Sequence, residues 1–171
     1  NAVNKKGISA LAFALRSNSS DVVKLLIDKD ANLTVIDKNQ ENLVAYLIQS
    51  YNPQKVGDFE TKIALLKQKG FDIDTPQKNG NTLYHLAIAK NDLSLLKLIY
   101  NFKIDVNQTN NEGMTVLHKA ALTAKDDVIL KYLISIEAKK DAKTDLGETA
   151  YDLASENEHL SKNKIAIDFL K

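Results

Sequence analysis

Cysteine and tryptophan are absent from this chain, and proline occurs only twice. The absence of cysteine excludes disulfide bonds, thiolate zinc sites and cysteine nucleophiles, and it leaves the redox compartment open. No uninterrupted apolar stretch approaches the ~20 residues that a membrane-spanning helix needs. Nor does the chain open with a basic segment followed by an apolar one. We therefore expect a soluble protein of the cytoplasm, or of the periplasm or exterior if a signal peptide has been removed.

An excess of either charge is also absent, because 23 lysines and arginines balance 22 aspartates and glutamates to a formal net charge of +1. Nucleic-acid binding depends on a concentrated basic surface. The two basic pairs, Lys5-Lys6 and Lys139-Lys140, are interpreted as solvated surface. The sequence thus favours neither a nucleic-acid partner nor a membrane, and its 171 residues suffice for one domain with a substantial core.

The most informative feature that is present is a repeat of 33 residues. Gly80, Thr82 and His85 recur at this interval as Gly113, Thr115 and His118. Self-similarity at such a period indicates stacked supersecondary units, none of which buries its apolar face alone. In the same register, the turn-glycine position of successive units is held by Gly7, Gln40, Gly80, Gly113 and Gly147.

Every unit predicts the same order of local structures. Two positions after the turn residue stands a good helix N-cap, which is Ser9, Asn42, Thr82, Thr115 or Thr149. A short alanine-rich helix follows, predicted over 10–15, 43–48, 83–88, 116–121 and 150–154. A second helix is predicted over 21–27, 63–66, 93–99 and 128–134. The end of the chain, 155–171, is predicted to form a capping helix with an apolar stripe at Ile165, Ile167, Phe169 and Leu170.

These features resemble the ankyrin repeat, through Thr82-Leu-Tyr-His85-Leu-Ala87, Thr115-Val-Leu-His118-Lys-Ala120 and Asp105-Val-Asn107. The resemblance covers essentially the whole chain and implies an all-α solenoid of about five helix-turn-helix repeats with projecting hairpin loops. It divides a single domain, 1–171, into repeats of approximately 1–33, 34–73, 74–106, 107–140 and 141–171, the last being a C-terminal cap. Because Asn1 occupies the place of Asn107 in this register, we expect a fragment that lacks an N-terminal portion.

One repeat is longer than the others. Thr34 and Asp74 lie 40 residues apart instead of 33, and the seven additional residues fall around 51–59. Pro53 and Gly57 predict an interhelical loop at this place rather than more helix. Aromatic residues are common in interfaces, so a secondary candidate binding loop consists of Tyr51, Pro53 and Phe59. In the other interpretation, both rings fold back and cover the insertion.

Histidine and carboxylate side chains invite a catalytic or metal-binding interpretation. The resemblance instead implies that His85 and His118 form hydrogen bonds with the threonines three positions earlier, which tie the turn to the helix start. Equivalent side chains in adjacent repeats lie on the order of 10 Å apart, too far to share a metal ion. His159 is expected to be solvated, and five aspartates recur at loop and cap positions, namely Asp21, Asp37, Asp72, Asp74 and Asp105. We expect no enzymatic activity, no metal and no cofactor.

Stacked repeats align their turn tips and first helices along one concave strip, which ankyrin proteins commonly use for recognition. We therefore predict a monomeric, non-enzymatic module that binds a partner protein through this strip. The candidate contact residues are Val3, Ile8, Val35, Ile36, Lys38, Lys78, Asn81, Asn111, Met114 and Leu122. One alternative is a regulatory or inhibitory segment of a larger protein with a catalytic domain elsewhere, and another is a small-ligand or peptide pocket under the inserted loop.

Overall fold

A computed structural model describes residues 1–17 and 19–171, and in this part of the chain it contains helices and no β-strand. The all-α prediction is confirmed. Two compact units are present, Asn1–Lys78 and Asn79–Lys171, named unit 1 and unit 2 below. Unit 1 contains α1 (Ala10–Ser17), α2 (Ser20–Asp28), α3 (Leu43–Gln49) and α4 (Val56–Gln68). Unit 2 contains α5 (Leu83–Ile88), α6 (Leu93–Tyr100), α7 (Val116–Thr123), α8 (Val128–Ser135), α9 (Ala150–Glu156), α10 (Glu158–Lys162) and a 3₁₀ turn, Asp168–Leu170. The single-domain assignment stays a prediction.

Polar side chains begin the first helix of each repeat, as the sequence predicts. The Oγ of Ser9 accepts the backbone N–H of Ala12 at 3.1 Å at the start of α1. The Oδ1 of Asn42 accepts the N–H of Val44 at 2.9 Å at the start of α3. Thr82, Thr115 and Thr149 precede α5, α7 and α9 in the same extended backbone conformation. The side chains of Thr115 and Thr149 accept the backbone N–H of His118 and Asp152. Such caps satisfy backbone donors that the first turn of a helix leaves without an intrahelical acceptor.

Within each unit, the two helices of a repeat pack against each other. They also pack against the equivalent helices of the neighbouring repeat. In unit 1, α1 packs on α2 and α3, and α2 packs on α4. In unit 2, α5 packs on α6 and α7, and α7 packs on α8 and α9. Leucines and isoleucines on the facing sides, such as Leu15, Leu66, Leu96 and Leu130, are almost fully buried. No helix in the described ranges is long and apolar enough to span a lipid bilayer.

The C-terminal segment corrects the prediction of one capping helix. The helix α10 ends at Lys162, and Lys164 then adopts a left-handed backbone with φ of 53°. A non-glycine residue in that conformation interrupts a right-handed helix. Leu160 and Leu170 are buried at 1% exposure each, whereas the other members of the predicted stripe, Ile165, Ile167 and Phe169, are partly exposed.

The longer second repeat also corrects a prediction, because part of the surplus is helical. The helix α4 has 13 residues and begins at Val56, so Gly57 lies in its first turn and the loop is confined to 50–55. In the first turn a backbone N–H needs no intrahelical partner, so a helix can begin through this glycine. Asp58 follows as an acidic residue of the first turn, where a negative charge stabilises the helix dipole.

Asp58 also connects α4 to α2. Its Oδ1 accepts the backbone N–H of Ser20, the first residue of α2, at 2.8 Å. Its Oδ2 pairs with Nζ of Lys62 at 2.8 Å. Burial alone raises the pKa of Asp58, but the hydrogen bonds from Lys62 and Ser20 outweigh burial and hold the pKa below its usual range. The carboxylate therefore stays ionised between the two helices.

Turn tips project from the repeats, and the four tips described next have the same pattern of hydrogen bonds. The tips at 4–8, 37–41, 110–114 and 144–148 each close with a hydrogen bond from the N–H of the first residue to the carbonyl of the last, at 2.9–3.0 Å. In each tip the side-chain oxygen of the first residue accepts two N–H groups of the turn; these residues are Asn4, Asp37, Asn110 and Thr144. Such side-chain bonds fix a turn locally.

Neighbouring tips within a unit are joined by backbone hydrogen bonds. In unit 1 the N–H of Lys38 donates to the carbonyl of Lys6 at 3.0 Å. In unit 2 the N–H of Asp145 donates to the carbonyl of Glu112 at 3.1 Å. This approach leaves no room for a side chain at Gly113, which has φ of +70°, since an added Cβ would lie 2.7 Å from the backbone N of Asp145. Glycine is thus required here by conformation and by space.

The contact between tips predicts that alanine substitutions at Gly113 and Gly147 lower the folding stability by different amounts. Gly147 has φ of +82° but no heavy atom within 4 Å of an added Cβ. Gly147→Ala therefore incurs only the left-handed backbone cost, roughly 1–2 kcal/mol. Gly113→Ala incurs the same cost and also an overpacking cost of roughly 1–3 kcal/mol. Urea denaturation of both variants measures the two losses, and equal losses would show that the tips do not constrain Gly113.

Candidate functional site

The residues predicted to contact a partner differ in exposure. Val3, Ile36 and Leu122 expose 51%, 55% and 44% of their surface, and Lys38, Pro53, Lys78 and Asn111 are exposed as well. Ile8, Val35 and Met114 are partly exposed. Asn81, Tyr51 and Phe59 are buried. The first two groups remain candidates for binding, and the third needs another explanation.

The buried candidates contribute to the interior of their units. The Oδ1 of Asn81 accepts the side-chain amide of Asn110 at 3.0 Å, so Asn81 supports a tip, which corrects its placement on a binding surface. The rings of Tyr51 and Phe59 meet edge to face, with centroids 5.4 Å apart. This geometry is favourable for aromatic pairs, and it confirms the interpretation that both rings fold back over the insertion. Of the secondary candidate loop, Pro53 alone stays exposed.

The clearest concave feature among the predicted residues lies between two tips of unit 2, and we call it the tip groove. It is a cavity of about 330 Å³ lined by Asn111, Glu112, Met114, Thr144, Asp145, Leu146 and Glu148. It unites two predicted residues, Asn111 and Met114, while Leu122 lies on α7 outside the lining. A volume of this size accommodates one or two side chains of another protein.

The tip groove combines apolar and acidic side chains. Leu146 exposes 85% of its surface, the largest fraction among the large apolar residues of the described chain, and Met114 lies beside it in the lining. The acidic residues Glu112, Asp145 and Glu148 line the same cavity. An exposed apolar residue surrounded by charges of one sign is a frequent property of interaction sites.

The backbone holds the tip groove in place on both sides. The Oδ1 of Asn110 accepts the N–H groups of Glu112 and Met114, both at 3.0 Å. The Oγ1 of Thr144 accepts the N–H groups of Leu146 and Glu148, both at 3.3 Å. Because these bonds and the bond between the tips already order the backbone, a partner meets a site that costs little conformational entropy to arrange.

Unit 1 exposes a set of apolar, aromatic and cationic side chains that we call the unit 1 patch, which consists of Val3, Phe13, Arg16 and Ile36. The Arg16 guanidinium lies 5.3 Å from the ring centroid of Phe13 and 5.9 Å from that of Tyr46. Such distances correspond to cation–π contacts. The patch includes two predicted residues, Val3 and Ile36.

A buried hydrogen bond fixes Tyr46, one of the two rings that Arg16 of the unit 1 patch contacts. The phenol of Tyr46 donates to Oδ2 of Asp37 at 2.7 Å, and Asp37 also orders its own tip. Burial, followed by the hydrogen bond to Asp37, raises the pKa of Tyr46, so the phenol remains a donor. The predicted role of Asp37 as an acceptor of backbone hydrogen bonds is confirmed, and the same holds for Asp72 and Asp105.

The two repeat histidines are structural, as predicted from the resemblance. Nδ1 of His85 accepts the N–H of Thr82 at 3.2 Å, and its Nε2–H donates to the carbonyl of Met114 at 2.8 Å. His118 repeats both contacts with the N–H of Thr115 at 3.1 Å and the carbonyl of Ala142 at 3.0 Å. Both ring nitrogens are thus in use in the neutral form, which leaves no lone pair for a metal ion and no free base for catalysis.

Other groups in the described chain do not assemble a metal site. No cluster of three or more histidine, aspartate or glutamate side chains within residues 1–17 and 19–171 has an arrangement that could hold a metal ion. His159 is exposed, as expected. The ion pairs Lys24–Asp28 and Lys131–Asp127 join residues four positions apart at α2 and α8 and lie at the surface. Pairs of this kind contribute little energy and no chemistry.

The sequence analysis does not identify two residues of these surfaces, Leu146 and Phe13. Leu146 occupies the tip position that Lys6, Asn79 and Glu112 hold in other repeats, so its apolar character is a signal that register comparison could have detected. Phe13 stands in the first helix within an alternating alanine-rich segment and looks like a core residue in the pattern. Its exposure of 48% becomes visible only in three dimensions.

Comparison with known families gives two matches. A family model described as ankyrin repeats in three copies matches residues 84–167, and one described as ankyrin repeat matches residues 6–38. These ranges include the helices α7 to α9 with their tips in unit 2, and the first tip with α1 and α2 in unit 1. The tip groove and, apart from Val3, the unit 1 patch described above therefore lie on matched repeats.

Individual relatives agree with the family matches. An ankyrin repeat protein of fowlpox virus (strain NVSL), FPV031, is 28% identical over 152 residues, which is 85% of this chain and 43% of the relative. An ankyrin repeat protein of Rickettsia bellii is 29% identical over 126 residues, 74% of this chain and 67% of the relative. Protein phosphatase 1 regulatory subunit 27 of Mus musculus is 32% identical over 97 residues, 57% of this chain and 62% of the relative. The chain thus spans 43 to 67% of the length of these relatives.

The buried histidines predict a loss of stability at mildly acidic pH. Burial lowers the pKa of His85 and His118 below 6.5, although their hydrogen bonds to backbone carbonyls oppose the shift. The unfolded chain consequently binds protons that the folded chain does not, so stability is complete above pH ~6.5 and falls as pH decreases below it. The steepest loss is about 1.4 kcal/mol per pH unit for each histidine.

Urea denaturation between pH 7.5 and 5.5 measures this dependence. Replacement of both histidines by Gln keeps a residue that can complete a capping box, and we expect it to flatten the curve over this range. His159→Gln, at an exposed histidine, serves as the control and leaves the curve unchanged. An equal pH dependence in the double variant and the parent would contradict the structural role of the two rings.

Proposed function

Because this chain belongs to the ankyrin-repeat family, we propose that it is a non-enzymatic module that binds a partner protein. The observation that supports this proposal most directly is the tip groove, where Met114 and Leu146 lie among acidic side chains on ordered backbone. Both ring nitrogens of His85 and His118 are engaged in structural bonds, which favours recognition over chemistry.

The charges of the tip groove indicate what kind of segment fits it. An apolar side chain of a partner would bury the exposed surface of Leu146 and Met114. Lysine or arginine residues beside it would pair with Glu112, Asp145 and Glu148, whereas an acidic segment would be repelled. We infer that the partner presents an apolar residue flanked by basic ones. A net charge of +1 gives the chain little overall electrostatic attraction for nucleic acid.

The unit 1 patch is a second contact in this proposal. Its exposed apolar residues, Val3, Phe13 and Ile36, suit a partner through apolar contact, and Arg16 offers a guanidinium already positioned by two rings. Arginine and aromatic residues are enriched among the residues that dominate binding energy in interfaces. Ile8, Val35, Lys38, Lys78 and Leu122 remain predicted contacts around the two surfaces, and a monomeric state stays part of the proposal.

A substitution at Leu146 tests the role of the tip groove. Leu146→Ser removes an exposed side chain, so folding is retained, but it removes the apolar contact as well. Affinity capture with the parent and the variant, quantified by mass spectrometry, should show one or a few proteins that decrease about tenfold, the effect of a hot-spot truncation. The basic and apolar segment of such a protein, made as a peptide, should then bind the parent with an affinity that decreases as salt increases.

The matched control is Leu25→Ser, which removes another exposed leucine, at 59% exposure, from α2 and outside the lining of the tip groove. Capture of the same proteins must be unchanged by it. Equal recovery with Leu146→Ser and the parent would refute the tip groove as the contact, and a parallel experiment with Ile36→Ser examines the unit 1 patch. Loss of recovery in Ile36→Ser alone would transfer the principal contact to unit 1.

A second candidate function is regulation of an enzyme by this chain. It is favoured by the similarity to protein phosphatase 1 regulatory subunits 27 and 12A of Mus musculus, at 32% and 34% identity over 97 and 80 residues. Those names describe the relatives, and for this chain regulation is a proposal. The two candidates separate once a partner is captured, because a regulatory segment changes the turnover rate of an enzymatic partner at saturating concentration and a pure binding module does not.

A further inference from the structure

Unit 1 contains a cavity of about 500 Å³ whose lining includes residues from the end of α1, from the loop that joins α3 to α4 and from the first half of α4. Its lining includes Arg16, Ser50, Asn52, Lys55, Asp58 and Lys62. It is separate from the tip groove and the histidines. We propose that this cavity binds a small organic phosphate.

Lys62 is the residue that most needs an explanation. Its side chain is only 3% exposed, although lysine is among the residues least often buried. A buried ammonium is expensive unless its donors are satisfied. It has three N–H donors, and the acceptor present in the described chain is Oδ2 of Asp58, at 2.8 Å. Lys62 also belongs to the lining of the cavity, and an anionic oxygen bound there could accept a further hydrogen bond from its ammonium.

The charges around the cavity favour an anion of more than one negative charge. The lining contains the cations Arg16, Lys55 and Lys62 and one carboxylate, Asp58, which is committed to Lys62 and to the Ser20 backbone. The formal charge of the lining is therefore +2. A phosphate monoester has a charge of about −1.5 to −2 at pH 7, which matches this lining better than a carboxylate does.

The polar groups are positioned before a ligand arrives. The guanidinium of Arg16 is held by the rings of Phe13 and Tyr46, and guanidinium groups bind phosphate with two parallel hydrogen bonds. The Oδ1 of Asn52 accepts the backbone N–H of Gln54 at 2.9 Å, so its NH₂ group is the part that can donate to a ligand. Guanidinium, ammonium and amide donors are the groups that a phosphoryl oxygen accepts from.

The size of the cavity favours a small molecule as the source of the phosphate. A volume of about 500 Å³ lies in the range of small-molecule and cofactor sites and exceeds what a phosphate group alone fills. The remaining space suits a polar carrier such as a sugar. The longer second repeat contributes to this site, because Asn52, Lys55 and Asp58 all belong to the segment around 51–59, where this repeat has seven residues more than the others.

Calorimetric titration of the 171-residue chain with glucose 6-phosphate at low ionic strength tests the proposal. We expect saturable binding that weakens with added NaCl, and no binding of glucose. Lys55→Gln, at an exposed residue, and Lys62→Met, at the buried one, should each weaken binding about tenfold or more, the effect of losing a charge-assisted hydrogen bond. Because Lys55→Gln changes an exposed side chain, the test stands even if Lys62→Met fails to fold.

Lys67→Gln is the matched control, since it removes the same charge from an exposed position on the same helix, α4, outside the lining. We expect its affinity to stay within about twofold of the parent value. Absence of saturable binding, or equal weakening by Lys67→Gln and Lys55→Gln, would overturn the site. Binding of a phosphoserine peptide in place of glucose 6-phosphate would overturn the small-molecule proposal.

Discussion

The close approach of neighbouring tips is the constraint on which both candidate surfaces depend. A backbone N–H of one tip reaches a carbonyl of the preceding tip, from Lys38 to Lys6 in unit 1 and from Asp145 to Glu112 in unit 2. Gly113 fits beside the bond from Asp145 to Glu112 because it has no Cβ. The bond sets the spacing at which Met114 and Leu146 stand side by side. A wider spacing would divide the tip groove into two separate loops with no shared cavity.

A second connection between neighbouring repeats is formed by the hydrogen bonds of two buried histidines. His85 joins the start of its own helix to the carbonyl of Met114, a residue of the tip groove. His118 makes the equivalent connection to Ala142. The imidazole therefore serves as a neutral donor and acceptor at once, which only one tautomer allows. The capping of the helices and the ordering of the tips are thus parts of one hydrogen-bond network in unit 2.

The repeat register predicts the helices well because capping and hydrophobic spacing are local. The helix α5, Leu83–Ile88, follows from it, whereas the roles of His85 and His118 were implied by the resemblance to the ankyrin repeat. The burial of Lys62 does not, since its cavity is formed by residues as distant in sequence as Arg16 and Lys55. The helical start at Gly57 was also hidden, because glycine signals a break unless it falls in a first turn. Exposure at Phe13 depends on neighbours that a single repeat does not contain.

The placement of the insertion has a consequence for how this protein can change over evolution. The additional residues form the loop after α3 and the first turn of α4, whereas the bond between the two tips of unit 1 involves Lys6 and Lys38. Mutation and selection can therefore alter the length and polarity of the segment around 51–59 while that bond is conserved. Loops with such freedom are where new sites commonly arise on repeat scaffolds. Related chains that differ in this segment alone would share tips and diverge in what they recognise between their helices.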